Sequence, residues 1–116
     1  MKDIIVYIET PERRYPMVFN LNVMEEIQEH YGTVEAWGEK TQGTGEANIK
    51  SLKVGMMAMI NEGIEIENEN NGTNESLVNA KQVGRIMSKV GIVEITKAIQ
   101  QLTIASTKTE GNEKNA

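Results

Sequence analysis

Two short apolar runs at the start of the chain predict a β-hairpin. The first run, 3–9, is rich in β-branched residues, and the second spans 15–19. Between them lies a four-residue turn that begins at Thr10, where Pro11 presets φ at the second turn position. Pro16 is expected at the start or the edge of the second strand. Because an isolated two-stranded ribbon is marginal in water, its apolar face must be covered by helices or by another chain.

Capping signals predict two helices after the hairpin. Asn22 and Glu25 have the spacing of a capping box, which indicates that the first helix begins there. Gly32 is expected to end this helix, because glycine readily adopts the left-handed conformation found after helices. Thr33 can cap a short second helix that places Trp37 against the body of the protein. We therefore expect Trp37 to be at least half buried.

A longer third helix is predicted over 47–61, where apolar residues recur at helical spacing. The stripe consists of Ile49, Leu52, Met56, Met59 and Ile60, with Val54 and Met57 widening it. The next segment, 62–76, contains five glutamates, four asparagines and no basic residue. Its composition is typical of a solvated loop, and we expect a mobile loop over this segment.

Two further helices complete the predicted body. Asn79 and Gln82 repeat the capping-box spacing, so a fourth helix should start at Ala80. Gly91 is expected to close that helix, and a last helix should run over 92–105. The fold class is therefore α+β, with an N-terminal β-hairpin followed by a mainly α-helical body of four to five helices. We expect one domain over 1–105 and a disordered polar tail over 106–116.

Composition narrows the functional classes. The chain of 116 residues has no cysteine, which excludes disulfides, thiolate metal sites and cysteine nucleophiles. No apolar run is long enough for a membrane span and no secretion signal is visible, so a cytoplasmic protein is expected. With 12 Lys+Arg against 17 Asp+Glu, the net charge of −5 argues against general nucleic-acid binding.

The residues that could support chemistry do not form a recognisable site. The acidic segment offers Glu67, Glu69 and Asn71 at calcium-loop spacing, but the closing acid would fall on Val78. His30 is the only histidine, and a role in the last turn of the first helix is favoured over catalysis. The glycines of 43–45 lack the spacing of a phosphate-binding loop. We therefore expect no enzyme activity, no metal and no cofactor.

A predicted strand pair leads through Y-P-M-V-F-N-L-N into a capped helix, and it is followed in order by H-Y-G-T-V-E-A-W, a helix ending in I-N-E-G-I-E, and Q-V-G-R-I-M. This order of short motifs resembles that of the tail assembly chaperones of long-tailed (siphovirus-like) bacteriophages and prophages. The resemblance covers Tyr7 to Leu102, and the segment 65–74 lies outside it. It implies a non-enzymatic protein in the bacterial host cytoplasm that binds the tape measure protein and aids assembly of tail tube protein around it.

Partner binding would use apolar residues in excess of what one helical stripe needs. The candidate partner-binding residues are Ile49, Leu52, Met56, Met57 and Ile99. Methionines suit such a surface because their side chains are adaptable, although core packing is the favoured role of Met56 and Met59. Homo-oligomers are plausible by the same reasoning. The alternative function is a small acidic protein-binding adaptor or regulatory domain of a phage or bacterium.

Overall fold

The computed structural model describes the chain over 4–42 and 46–115, with side chains over 4–41 and 49–106. The predicted α+β class is confirmed, since an antiparallel hairpin precedes five helices. The elements are β1 (Ile5–Glu9), β2 (Arg14–Val18), α1 (Leu21–Tyr31), α2 (Val34–Gln42), α3 (Glu46–Asn71), α4 (Ala80–Val90) and α5 (Ile92–Asn115). Residues 43–45, between α2 and α3, lie outside the described residues.

The hairpin is closed by the predicted turn. The Thr10 N–H donates to the Arg13 carbonyl at 2.9 Å, and the Thr10 hydroxyl also donates to that carbonyl. Pro16 pairs with Tyr7 in the middle of β2 rather than at its start. A proline is tolerated there because each strand of a two-stranded sheet has a free edge, so its missing N–H can face away from the partner strand.

Helix α3 is the central element, and it packs against β2, α1, α2 and α4. Gly63 allows its close approach to the hairpin, because a Cβ atom at this position would lie 2.7 Å from the Pro16 carbonyl oxygen. The largest fully buried side chains come from every layer around α3 and include Met17, Ile27, Leu52, Met56, Met59, Ile60, Ile64, Ile95 and Leu102. The hairpin therefore covers one side of a single apolar core.

The predicted acidic loop is wrong in its first ten residues. Helix α3 does not end at Asn61 but continues to Asn71. Ile64 follows Ile60 at helical spacing and is fully buried, which gives this half of α3 an apolar face of its own. The amino-acid composition did not indicate this part of α3, because the glutamates and asparagines around Ile64 lie on the other faces of the helix.

Two asparagines of α3 hold the segment that returns to α4. The Asn61 side-chain amide donates a hydrogen bond to the Val78 carbonyl at 3.1 Å. It also accepts one from the Val78 N–H at 2.8 Å. Asn68 makes the same pair of bonds with Glu75, at 3.0 and 2.9 Å. These amides satisfy backbone groups that no strand or helix pairs, and so they fix where α4 begins.

Most helix ends agree with their predicted signals, but the cap of α1 differs. Asn20, not Asn22, is the N-cap, and its side chain accepts a hydrogen bond from the Val23 N–H at 3.2 Å. Glu62 of α3 does not distinguish the two asparagines, because its carboxylate accepts hydrogen bonds from the Asn20 amide at 2.7 Å and from the Asn22 amide at 2.9 Å. The capping box at Asn79 is confirmed.

Glycines end two of the helices, and the C-terminal helix is longer than predicted. Gly32 and Gly91 close α1 and α4 with positive φ angles of 85° and 96°. Helix α5 extends to Asn115, ten residues beyond its predicted end at 105. Ser106 is buried and continues the stripe of Ile95, Ile99 and Leu102, so the packed part of α5 passes the predicted domain boundary. The disorder predicted for 106–116 stays a prediction.

Candidate protein-binding groove

The five predicted partner-binding residues do not form one surface. Leu52, Met56 and Ile99 are buried in the core, and each of these residues is at most 5% exposed. Met57 is partly buried and packs against the core. Ile49 differs, because it is 50% exposed near the start of α3. Ile49 is therefore the most exposed of the five, while Met57 is partly exposed and the other three are buried.

The perturbed titratable groups have structural partners. The Tyr7 hydroxyl donates to the Glu67 carboxylate at 2.6 Å, and this bond is the main cause of a raised pKa of Tyr7. The Arg14 guanidinium lies 4.1 Å from the centre of the Tyr7 ring. Glu12 has a lowered pKa because it accepts a hydrogen bond from Lys89. These contacts tie the hairpin to α3 and α4, and none of them assembles a catalytic group.

An open groove lies where the start of α3 meets α4 and the start of α5. We call it the α3–α4 groove, and its volume is about 840 Å³. Its apolar lining comes from Ile49, Met87 and Ile92. Ile92 is 38% exposed, whereas Met87 is buried beneath the surface. The groove therefore combines a solvent-exposed apolar lining with a well-packed base.

Two glycines shape the α3–α4 groove. Gly84 lies on its floor, where a Cβ atom would be 3.2 Å from the Lys53 Nζ. The missing side chain lets the Lys53 stem cross the α4 backbone. Gly91 takes a positive φ between α4 and α5, so the chain turns at once and Ile92 comes to line the groove. Local backbone chemistry thus places the apolar lining.

Four cations surround this apolar lining. Lys81, Arg85 and Lys89 come from α4, and Lys53 comes from α3. Lys89 is engaged by Glu12 in an ion pair. Among the described side chains no carboxylate lining the groove was found, although the whole chain carries a net charge of −5. Positive charge is therefore concentrated here.

Opposite charge collects in a second cleft, between α1 and α3. Its carboxylates are Glu25, Glu26, Glu29, Glu62 and Glu65. The amides of Asn20 and Asn22 both donate to the Glu62 carboxylate, at 2.7 and 2.9 Å. The molecule thus has a basic apolar groove and an acidic polar cleft at different places on α3.

Sequence reasoning missed the groove, although one signal for it is present. Lys81, Arg85 and Lys89 recur at intervals of four, which places them on one face of α4. The buried residues of the same helix, Val83, Ile86 and Met87, occupy a different face. The spacing predicts a basic stripe, but only the packing of three helices reveals the apolar lining beside it.

Neither the properties of the helices nor comparison with known proteins indicates a function for this chain. Within 4–42 and 46–115, no helix combines the length and the apolarity needed to cross a bilayer. Comparison of the chain with family models, curated proteins and solved structures gave no match. A functional proposal therefore has to start from the residues of this chain.

Proposed function

We propose that the chain is a non-enzymatic tail assembly chaperone of a long-tailed bacteriophage or prophage. It would act in the cytoplasm of the bacterial host, bind the tape measure protein and aid assembly of the tail tube. The order of motifs from Tyr7 to Leu102 supports this proposal. The hairpin and helical body that those motifs were expected to form agree with it at the level of fold class.

The α3–α4 groove is the observation that carries the proposal. A helix can be recognised by laying its apolar face into a hydrophobic groove. Ile49 and Ile92 both expose apolar surface in this groove, and exposed apolar surface in a groove is typical of interaction sites. A chaperone for a long helical client requires this kind of surface and requires no catalytic group.

Capture of tape measure fragments by the full-length chain tests the proposal. The fragments are overlapping pieces of a tape measure protein from the genome that encodes this chain, co-expressed with the tagged chain. We expect at least one fragment to co-purify. Ile49→Glu should reduce its capture at least about tenfold, because a carboxylate would replace apolar contact surface in the groove.

Leu21→Glu is the matched control, since Leu21 is also an exposed apolar residue but lies at the start of α1. This variant should capture the same fragments as the wild type. Failure of the wild-type chain to capture any fragment would overturn the proposed function. A gene located in a regulatory cluster, away from tail genes, would instead favour the adaptor alternative.

A further inference from the structure

We propose that the α3–α4 groove binds an acidic amphipathic helix. Apolar side chains of that helix would contact Ile49 and Ile92, and its carboxylates would pair with Lys53, Lys81 and Arg85. The inference deepens the proposed function and rests on it only for the source of the helix, a segment of the client protein. The charge and the periodicity of the ligand follow from the groove itself.

The spacing of the cations suits a helical ligand. Consecutive cations on α4 are four residues apart, which corresponds to about 6 Å along the helix axis. A helix laid alongside α4 with glutamates four residues apart has the same spacing, because both helices rise equally per residue. Lys53 extends the positive charge to the α3 side of the groove. An acidic helix can therefore make several ion pairs at once.

The cations are available for this purpose. In the part of the chain whose side chains are described, Lys53, Lys81 and Arg85 have no carboxylate within ion-pairing distance. Lys81 and Arg85 stand four residues apart on one helix, where like charges repel each other. Carboxylates of a bound helix would relieve this repulsion.

The apolar lining distinguishes this site from a nucleic-acid site. Groove residues Ile49, Met87 and Ile92 are aliphatic, whereas single-stranded nucleic acids are held by aromatic residues that stack on bases. A peptide with both apolar and acidic residues satisfies both parts of the groove.

Two synthetic peptides test the inference on the full-length chain. Each has about 18 residues, enough for five helical turns, with leucines on one face and alanines between them. One peptide carries glutamates beside the leucines and the other carries lysines. Fluorescence anisotropy should show that the glutamate peptide binds at least about tenfold more tightly, with the difference shrinking in about 0.5 M salt.

Arg85→Glu should weaken binding of the glutamate peptide about tenfold and strengthen binding of the lysine peptide. Lys97→Glu is the matched control, because it makes the same kind of charge reversal at an exposed residue of α5 that does not line the groove. Thermal unfolding should show that both variants are folded. Equal affinity for the two peptides, or a preference unchanged in Arg85→Glu, would overturn the inference.

Two further outcomes would assign the groove to another occupant and also overturn the inference. Displacement of the glutamate peptide by duplex DNA would indicate a nucleic-acid site. A wild-type dimer that Arg85→Glu dissociates in light scattering would indicate a second copy of this chain. The proposed function is tested separately, since tape measure fragments captured equally by wild type and Arg85→Glu would contradict only the acidic-helix inference. Charge-selective peptide binding without any captured fragment would contradict only the chaperone function.

Discussion

The indole of Trp37 lies directly on the backbone of Gly55, where a Cβ atom would come within 2.3 Å of the ring. Its Nε1 donates a hydrogen bond to the Ser51 carbonyl at 2.8 Å, one turn earlier on α3. The side chain is 97% buried, since only 3% is exposed, and the expectation that it would be at least half buried is confirmed. Trp37 therefore fixes α2 on α3.

Gly55→Ala should destabilise the fold by about 1–3 kcal/mol, because the added methyl group forces the Trp37 ring out of its position. Urea unfolding measures the loss, and the fluorescence of Trp37 should shift towards that of an exposed indole. Gly38→Ala is the control, since no atom lies within 4 Å of its Cβ position on α2. It should leave stability unchanged or raise it by up to about 1 kcal/mol. Equal effects of the two substitutions would contradict this account of Gly55.

Signals confined to a few neighbouring residues were sufficient to predict much of the fold. The turn at Thr10, the capping box at Asn79 and the glycine ends of α1 and α4 each depend on local backbone chemistry. The cap of α1 could not be predicted in this way. Asn20 and Asn22 are both capable of capping, and the Glu62 carboxylate that both amides contact is 40 or more residues away in sequence.

The candidate site was also predictable only in part, because it depends on contacts between residues that are far apart in sequence. Ile49 is on the predicted apolar stripe, and the four-residue spacing of Lys81 and Arg85 is visible in the sequence. Ile49 lies near these two cations because of the way α4 packs against α3. The hydrogen bonds between the Asn61 side chain and the Val78 backbone hold the segment that leads into α4. An amide that pairs with backbone across 17 residues leaves no periodic signal in the sequence.

Asn61→Ala should lower the free energy of unfolding by about 1–3 kcal/mol, because the partly buried Val78 N–H and carbonyl lose their partners. Hydrogen exchange of the Val78 amide should accelerate in the same variant. Asn70→Ala changes an exposed residue of the same helix and should alter stability by less than about 0.5 kcal/mol. A Val78 amide that remains protected in Asn61→Ala would show that the contact does not hold the return segment.

The Tyr7–Glu67 hydrogen bond should make stability depend on alkaline pH. The bond raises the pKa of Tyr7 above 10.0 in the folded chain, with burial and the Glu67 charge adding to it. Below pH 10.0 the phenol is neutral in both states and its contribution to stability is complete. As the pH rises through the folded-state pKa, that contribution is lost, because the unfolded chain releases the proton more readily.

The stability difference between wild type and Tyr7→Phe should therefore be constant up to pH 10.0 and shrink above it. Denaturant midpoints measured at a series of pH values test this expectation. Glu67→Gln keeps a hydrogen-bond acceptor without the charge, so the alkaline loss should begin at a lower pH in that variant. A difference that does not change between neutral and strongly alkaline pH would contradict the role assigned to the bond.

Ile49 and Met57 should separate binding from stability, since only one of them lines the α3–α4 groove. Ile49→Ala removes half-exposed surface, so it should weaken binding of the glutamate peptide several-fold while stability changes by less than about 1 kcal/mol. Met57→Ala removes a side chain packed against the core and should lower stability by about 1–3 kcal/mol without changing affinity.

Calorimetric titration and urea unfolding of both variants test this crossed pattern. Met56→Ala provides the fully buried comparison, with a loss of about 2–5 kcal/mol. If Met57→Ala weakened binding while Ile49→Ala did not, the partner surface would lie beside Met57, which is one of the partner-binding residues predicted from the sequence. The groove assignment would then fail, because the side chain that governs binding would lie outside the groove.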